Sequence, residues 1–383
     1  MRDHGCEDVI TTTHVGSLPR GPELTPLLLA RDAGNPYDAV EFDTLVQSAV
    51  DAAVAEQVAA GVTIVSDGEL GKVGYSTYII ERLEGFGGNS ARKPALDLAP
   101  LPELRTKLAA IMGAQEFTRA ACIAPVKLRT LEPLDDDIRR FRHALNRHGN
   151  GTRAFLNAAS PGLITAFQAN EYYPSHDAYL AALVDAMRPE YEAIAAPGFE
   201  VQLDFPDLAM SRHTGYQDMD EAEFLRTIAA NVDALNAATA NIAPDKMRMH
   251  ICWGNYEGPH THDIALEKII DIIIRARPST ILFEAANPRH EHEWKIWRDA
   301  KLPSDKILAP GLIDTCSNYV EHPELIAQRI ERFIDIVGPD RIVASTDCGF
   351  GTFAGYGKID PAVTWMKLRA LREGADIAAA RLR

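Results

Sequence analysis

The chain has 383 residues, 46% of them hydrophobic and 24% charged, enough for one large barrel or for two smaller domains. Its formal charge of −15 argues against nonspecific binding to nucleic acid or to an anionic membrane, so an anionic ligand would need a local basic pocket. No run of about 18 apolar residues is present to span a bilayer, residues 1–10 are polar rather than signal-like, and five cysteines make a disulfide scaffold a poor fit. The expected compartment is the cytoplasm, where cysteines stay free as thiols.

Short β-rich runs alternate with longer amphipathic ones. In chain order, a strand at 9–13 is followed by a helix at 37–60 and a strand at 62–66. The Gly- and Pro-rich stretch 70–102 reads as a long loop or lid. A strand-like run at 118–126 and a charged helix at 135–146 read as an insertion. Strands at 154–158, 201–204, 247–252, 280–284, 307–312 and 341–345 then alternate with helices at 176–195, 219–240, 262–277 and 323–337. Eight strands with helical connections predict parallel βαβ units, and eight such units close a TIM-type (β/α)8 barrel. The whole of 1–383 then forms a single catalytic barrel domain, with the loop and insertion of 70–150 inside it. A doubly wound open sheet is the alternative, but no G-x-G-x-x-G follows a strand, and Gly85-Phe86-Gly87-Gly88 follows a helix-like run.

Four residues stand where predicted strands end. His250 and Cys252 are two apart on one strand and so face the same way, while Ile251 faces the other. Glu284 closes the apolar run 280–283, and Cys348 follows the last strand. In a barrel all four lie at the C-terminal rim, where active sites of this architecture are built. One imidazole, two thiolates and one carboxylate suit a four-coordinate Zn2+. The bland reading is that an isolated His-x-Cys arises by chance and that a cysteine beside a strand is core filler.

Five blocks in this order resemble the catalytic, C-terminal barrel of the cobalamin-independent methionine synthase family. They are Thr13-His14-Val15-Gly16-Ser17-Leu18-Pro19, Val65-Ser66-Asp67-Gly68-Glu69, Val201-Gln202-Leu203-Asp204, His250-Ile251-Cys252 and Ser345-Thr346-Asp347-Cys348-Gly349, with a weaker block at Ala309-Pro310-Gly311-Leu312-Ile313-Asp314. The resemblance implies a barrel, a zinc held by His250, Cys252, Glu284 and Cys348, and an amino-acid thiol bound by Gly16, Ser17, Glu69 and Asp204. Two carboxylates would clamp its ammonium, and the Ser17 hydroxyl with nearby backbone N–H groups would hold its carboxylate. The chain departs from the family in two ways. It has no room for the second, N-terminal half of the full-length enzymes, and Cys316 stands where they carry a histidine that resembles a proton donor. A thiol, with a pKa of about 8.5, is a weaker acid than imidazolium at about 6.5. The run Trp253-Gly254-Asn255-Tyr256-Glu257-Gly258-Pro259-His260 resembles a single-barrel branch that includes epoxyalkane–coenzyme M transferase.

The expected activity is zinc-dependent S-alkylation of a thiol: methyl transfer to homocysteine or a related thiol, or, as the alternative, epoxide opening by a thiol. A metal with two thiolates and a carboxylate is a poor activator of water, yet it can keep a substrate thiol ionised at neutral pH. Glu284 is the ligand expected to give way. Proton donation to the leaving group is a role for His322, or for His14, His260, His262, His290 or His292, of which His290 and His292 read as solvated, while Asp314 is a candidate to orient a ligand or a donor. Trp253 and Tyr256 are candidates to wall the substrate pocket or stack on a ring. Arg20, Lys72, Arg212 and Arg289 are candidates for an anionic tail. The expected partners are a small-molecule thiol and an alkyl donor, with no nucleic acid and no membrane, and a homo-oligomer is left open. Other readings are a non-catalytic barrel with a structural zinc and a metal-free barrel of the uroporphyrinogen decarboxylase type.

Overall fold

The computed structural model describes residues 10–90, 93–111, 120–149, 151–356 and 358–382. Val9, Thr118 and Arg119, expected to lie in or beside strands, fall outside the described residues, as does 112–117 of the expected insertion. In chain order the elements are β1 (Thr11–Thr12), α1 (Leu24–Asp32), α2 (Ala39–Ala59), β2 (Ile64–Ser66), α3 (Ile79–Arg82), β3 (Leu83–Gly87), α4 (Pro102–Ile111), β4 (Ala121–Leu128), α5 (Glu132–His148), β5 (Arg153–Ala159), α6 (Pro161–Phe167), α7 (His176–Ala195), β6 (Glu200–Asp204), α8 (Glu221–Ala238), β7 (Met247–Ile251), α9 (Leu266–Ile273), β8 (Thr280–Phe283), α10 (Trp294–Asp299), β9 (Ile307–Pro310), α11 (Pro323–Val337), β10 (Val343–Ala344) and α12 (Pro361–Arg381). Helix starts are set by side-chain oxygens that accept from otherwise orphaned N–H groups: Asp38 for α2, Ser175 for α7, Asp220 for α8 and Asp360 for α12.

Six strands pair in parallel in the order β2-β5-β6-β7-β8-β9, and β1 pairs in parallel with β10. Bridges between Leu308 and Ile342 and between Gly311 and Ser345 attach β10 to the β9 side. On the other side, the Thr63 N–H donates to Thr12 O at 3.1 Å and the Thr13 hydroxyl donates to Ile64 O at 3.0 Å. The result is a curled parallel sheet with helices packed on its outer face. The main core lies between sheet and helices, and a small second cluster of Val15, Leu282, Ala309 and Val343 lies apart from it. Period-2 alternation explains the split: Met247, Met249 and Ile251 of β7 join the main core, whereas Arg248 donates to Thr13 Oγ1 and His14 O and lies 3.9 Å from the Phe155 ring centroid.

The region after β2 is more ordered than a loop. Strands β3 and β4 form an antiparallel hairpin outside the main sheet, with a register shift between Glu84 and Phe86. Arg82, 1% exposed, ties this hairpin to the body by pairing with Asp137 of α5 at 2.9 Å and Glu190 of α7 at 3.1 Å. The Tyr78 hydroxyl donates to Glu190 at 2.6 Å and accepts from the Ala159 N–H at the end of β5. No described helix is long and apolar enough to cross a membrane. Arg82→Met would leave the buried Glu190 carboxylate without its cation and Asp137 with only Arg140, at 3.5 Å. We expect it to cost about 3–5 kcal/mol of stability, read from urea unfolding; a loss under 1 kcal/mol would mean water reaches the cluster.

Candidate functional site

The C-terminal ends of the strands surround a cavity of about 590 Å³. Its floor carries His250 and Cys252 from the end of β7, Cys348 from the turn after β10, Ser17 from the loop after β1, Glu69 from the loop after β2, Asn157 from β5 and Asp204 from β6. Tyr75, Phe167, Phe353 and Tyr356 supply aromatic surface above them, and Tyr256 and Asn255 a further wall.

One potential ligand atom from each of His250, Cys252 and Cys348 falls in a cluster whose members are all within 4.8 Å of one another. The two sulfurs are 3.2 Å apart. Burial, aided by the Arg248 charge, drives His250 down to about 3, so its imidazole is neutral and able to coordinate. Its Nδ1 is buried without a hydrogen-bond partner among the described residues. For Cys252 the Cys348 contact lowers the pKa, but burial and the Glu284 charge outweigh it and raise the thiol; burial raises Cys348 further. Two buried thiols and a neutral imidazole with an orphaned ring nitrogen are a donor set that a soft or borderline cation satisfies, since it turns thiols into thiolates and compensates their charge.

Glu284 stands at the edge of this group rather than inside it. Its Oε1 is 3.8 Å from Cys348 Sγ and accepts the Trp253 N–H at 2.7 Å, and its Oε2 accepts from Asn287 at 2.8 Å. A carboxylate held by two donors beside the sulfurs is placed to enter or leave a cation's shell by a small rotation. The Gly254 N–H donates to Cys252 Sγ at 3.1 Å, a contact that favours thiolate.

The loop after β1 is built around a neutral histidine. Burial holds His14 down to about 4. Its Nε2 faces Gln57 Oε1 at 2.7 Å and its Nδ1 accepts the Gly16 N–H at 3.2 Å. Gly16 has φ 141°, and a Cβ there would sit 2.3 Å from Asn157 Oδ1, so only glycine fits. Ser17 O accepts the Phe350 N–H at 2.7 Å, stitching this loop to the turn that carries Cys348. Glu69 has φ 55°, an uncommon conformation for a side-chain-bearing residue, and its Oε2 is buried without a partner among the described residues. Burial, with Asp204 nearby, raises Glu69 to about 8; burial raises Asp204 to about 6 despite donors from Asn157 and Gln202. Two buried carboxyls on one cavity wall are thereby held partly neutral, a condition that a nearby positive charge would relieve.

Other expected residues take different places. Trp253 is 1% exposed and does not line the cavity: its Nε1–H donates to Ile264 O and its ring stacks on His290. Asp314 accepts from the Cys316 N–H and the Ser317 hydroxyl, closing a turn that presents Thr315 and Cys316 to Asn255 Oδ1 at 3.0 and 3.2 Å. His322 is exposed and caps α11 by accepting the Glu324 N–H. His290 is 4% exposed, contrary to the solvated reading of its charged segment. Arg20 donates to the carbonyls of Glu69, Lys72 and Gly351, and Lys72 donates to Asn157 O, so both brace loops rather than face an anionic tail. Lys93 and Arg105 are the cavity-lining cations that the sequence reading did not name. Asn157 and Gln202 were also missed; each is a polar residue in a buried strand, two positions from a small or acidic one, which is a readable signal.

Residues 159–370 match the family model described as the catalytic domain of cobalamin-independent synthase. A methionine synthase of Thermococcus kodakarensis is 24% identical over 375 residues, covering 96% of this chain and 93% of that one. One from Pyrococcus furiosus is 25% identical over 347 residues, covering 89% and 86%. Among solved structures, a B12-independent methionine synthase from Shewanella sp. W3-18-1 in complex with selenomethionine superposes with a TM-score of 0.70 at 19% identity, covering 98% of this chain and 99% of that one. A putative vitamin-B12-independent methionine synthase from Listeria monocytogenes gives 0.62 at 19% identity, covering 96% and 98%.

A Cβ on Gly349 would lie 1.9 Å from Ser17 Oγ. Gly349→Ala is therefore expected to displace Ser17 or Cys348 and, if the cluster of His250, Cys252 and Cys348 holds a metal, to lower its affinity by about 10–100-fold, measured by competition with a chromogenic chelator. Unchanged affinity would mean the turn yields without moving the sulfur.

Proposed function

This chain belongs to the cobalamin-independent synthase catalytic-domain family, and from that premise we propose that it methylates the sulfur of homocysteine or a closely related amino-acid thiol, with zinc as its cofactor. It is a transferase, as its methionine synthase relatives are. The observation that carries the reading is that three potential metal ligands and a pair of buried, cation-hungry carboxyls line one cavity. His250, Cys252 and Cys348 would hold the zinc, with Glu284 as a fourth, displaceable ligand. When bound, the metal would supply the charge that keeps a substrate thiol ionised at neutral pH.

The chain's own residues do the rest. Glu69 and Asp204 bind the substrate ammonium, while Asn157 and Gln202 hold the Asp204 carboxylate in place. Ser17 and the backbone of the Gly16 loop take the substrate carboxylate. Asp314 is a positioning residue, acting through Cys316, Thr315 and Asn255 on the cavity wall. Tyr256 and the aromatic surface around Tyr75 exclude water from the sulfur and leave room for the methyl donor. Epoxide opening finds no support among the relatives named above. We further read the curled sheet as a closed eight-stranded barrel and the chain as one catalytic domain; the bonds from β1 to β2 and from β10 to β9 support this.

Two measurements test the reading. Zinc-loaded protein should form methionine from homocysteine and a methyl donor such as 5-methyltetrahydrofolate, and Cys252→Ser should abolish this; full activity in that variant would refute the site. Methionine binding, which involves no thiol titration, should depend on pH through the carboxyl pair. With Asp204 at about 6 and Glu69 at about 8, both are protonated below pH 6 and cannot pair with an ammonium. Affinity should therefore climb between pH 6 and 8. Because both values are raised, the same pair lowers folding stability as pH rises above the ordinary carboxylate range, an effect that bound ammonium offsets. Glu69→Gln should weaken methionine about 10–100-fold at pH 8, yet leave 4-(methylthio)butanoate, which lacks the amino group, unaffected. Equal losses for both ligands would exclude the clamp.

A further inference from the structure

Behind the cavity wall lies a second cluster of coordinating side chains that the proposed chemistry does not use. The Asp263 Oδ2 atom is 2.8 Å from His260 Nδ1 and 2.8 Å from His290 Nε2, and Asp263 Oδ1 is 3.3 Å from His213 Nδ1. His213 is fully buried, His260 and His290 are each 4% exposed, and the Asp263 side chain is 3% exposed. The geometry points to a second divalent-cation site, held by His260, His290 and Asp263, whose potential ligand atoms all lie within 4.8 Å of one another.

Three observations carry this. First, His213 Nδ1 and Asp263 Oδ1 are both buried with no hydrogen-bond partner among the described residues, although they face each other. Second, Asp263 Oδ2 lies between the two imidazoles, 2.8 Å from a nitrogen of each, so small outward shifts give the spacing of about 3.3 Å between ligand atoms around a four-coordinate zinc. Third, the outer nitrogens are arranged as metal-bound imidazoles arrange them. His290 Nδ1 faces Glu293 Oε2 at 2.9 Å, and His260 Nε2 faces the Tyr256 carbonyl at 3.0 Å. Read as hydrogen bonds alone, both rings would need protons on both nitrogens, placing two buried cations against Asp263 Oδ2 with Glu293 as the second counter-charge. A divalent cation carries the same charge and leaves each ring neutral, with its outer N–H donated to the acceptor it already faces. Two imidazoles and a carboxylate suit zinc or a neighbouring first-row metal.

The site would act as a pin. His213 lies on the loop after β6, which carries Asp204; His260 and Asp263 lie on the loop after β7, which carries Cys252; His290 lies on the loop after β8, which carries Glu284. One ion would fasten the loops after β7 and β8, and His213, 3.3 Å from Asp263 Oδ1, would tie the loop after β6 to them through that carboxylate. His260 is held at φ 54°, and the Trp253 ring stacks 4.3 Å from the His290 ring, so the cluster is coupled to the residue after Cys252.

Metal content of the full chain, grown with zinc and measured by inductively coupled plasma mass spectrometry, tests this independently of the cavity site. We expect two equivalents in the native protein, one in Asp263→Asn, and one in the Cys252→Ser/Cys348→Ser double variant. The same metal content in Asp263→Asn as in the native chain would overturn the proposal. Should Asp263→Asn not fold, Co2+ titration of the cysteine double variant decides. One equivalent with weak visible bands and no thiolate charge-transfer absorption supports the site, and no binding overturns it. Absence of thiolate charge transfer in the native chain would instead count against the cavity site and leave this one standing.

Discussion

Two sulfurs and an imidazole nitrogen, drawn from residues up to 98 positions apart (Cys348 against His250), are packed together in a place from which water is largely excluded. That arrangement costs free energy unless something takes the charge, because burial keeps both thiols protonated and leaves a ring nitrogen unpaired. The rest of the rim makes sense as support for this one constraint. The Trp253 N–H and Asn287 hold Glu284 beside the sulfurs, the Gly254 N–H leans on Cys252, and the loop of Ser17 is locked to the turn of Cys348. Opposite them, Glu69 and Asp204 are in a similar condition, two acids pushed up by burial that a cation would relieve. The cavity is thus unsatisfied at both ends, and a zinc at one and an amino acid at the other would settle it.

Parallel strands are what make the convergence cheap. Each strand end contributes inward-facing positions at fixed parity, so no side chain has to reach far. The loops are then fixed by buried charge: Arg20 bonds three carbonyls on neighbouring turns, and Arg82 fastens the β3–β4 hairpin to α5 and α7. Conformational freedom is thereby removed before any ligand arrives, which favours a site that positions its substrates rather than one that closes around them.

All eight expected sheet strands are present, because apolar runs of four to six residues bounded by turn signals are hard to mistake when helices of the right length separate them. The same parity rule that aligned His250 with Cys252 also turns Trp253 away from the cavity. Applied one residue further, it would have removed Trp253 from the substrate-binding set. His290 was read as solvated because Arg289-His290-Glu291-His292-Glu293 is a charged string. Its burial depends on Asp263, 27 positions away, and no local pattern reports that. Helix α12 carries a buried lysine, Lys367, paired with Glu321, and an alanine-rich face, so its apolar periodicity is faint. Glycine and proline content made 70–102 look like an open loop, yet backbone pairing between distant segments organises much of it.

The most direct test of the central claim is X-ray absorption at the zinc edge of the purified, zinc-loaded chain and of its Cys252→Ser/Cys348→Ser counterpart. The account predicts sulfur scattering at about 2.3 Å in the native protein, together with imidazole nitrogen, and its disappearance in the counterpart. A zinc shell made only of nitrogen and oxygen in the native chain would contradict it.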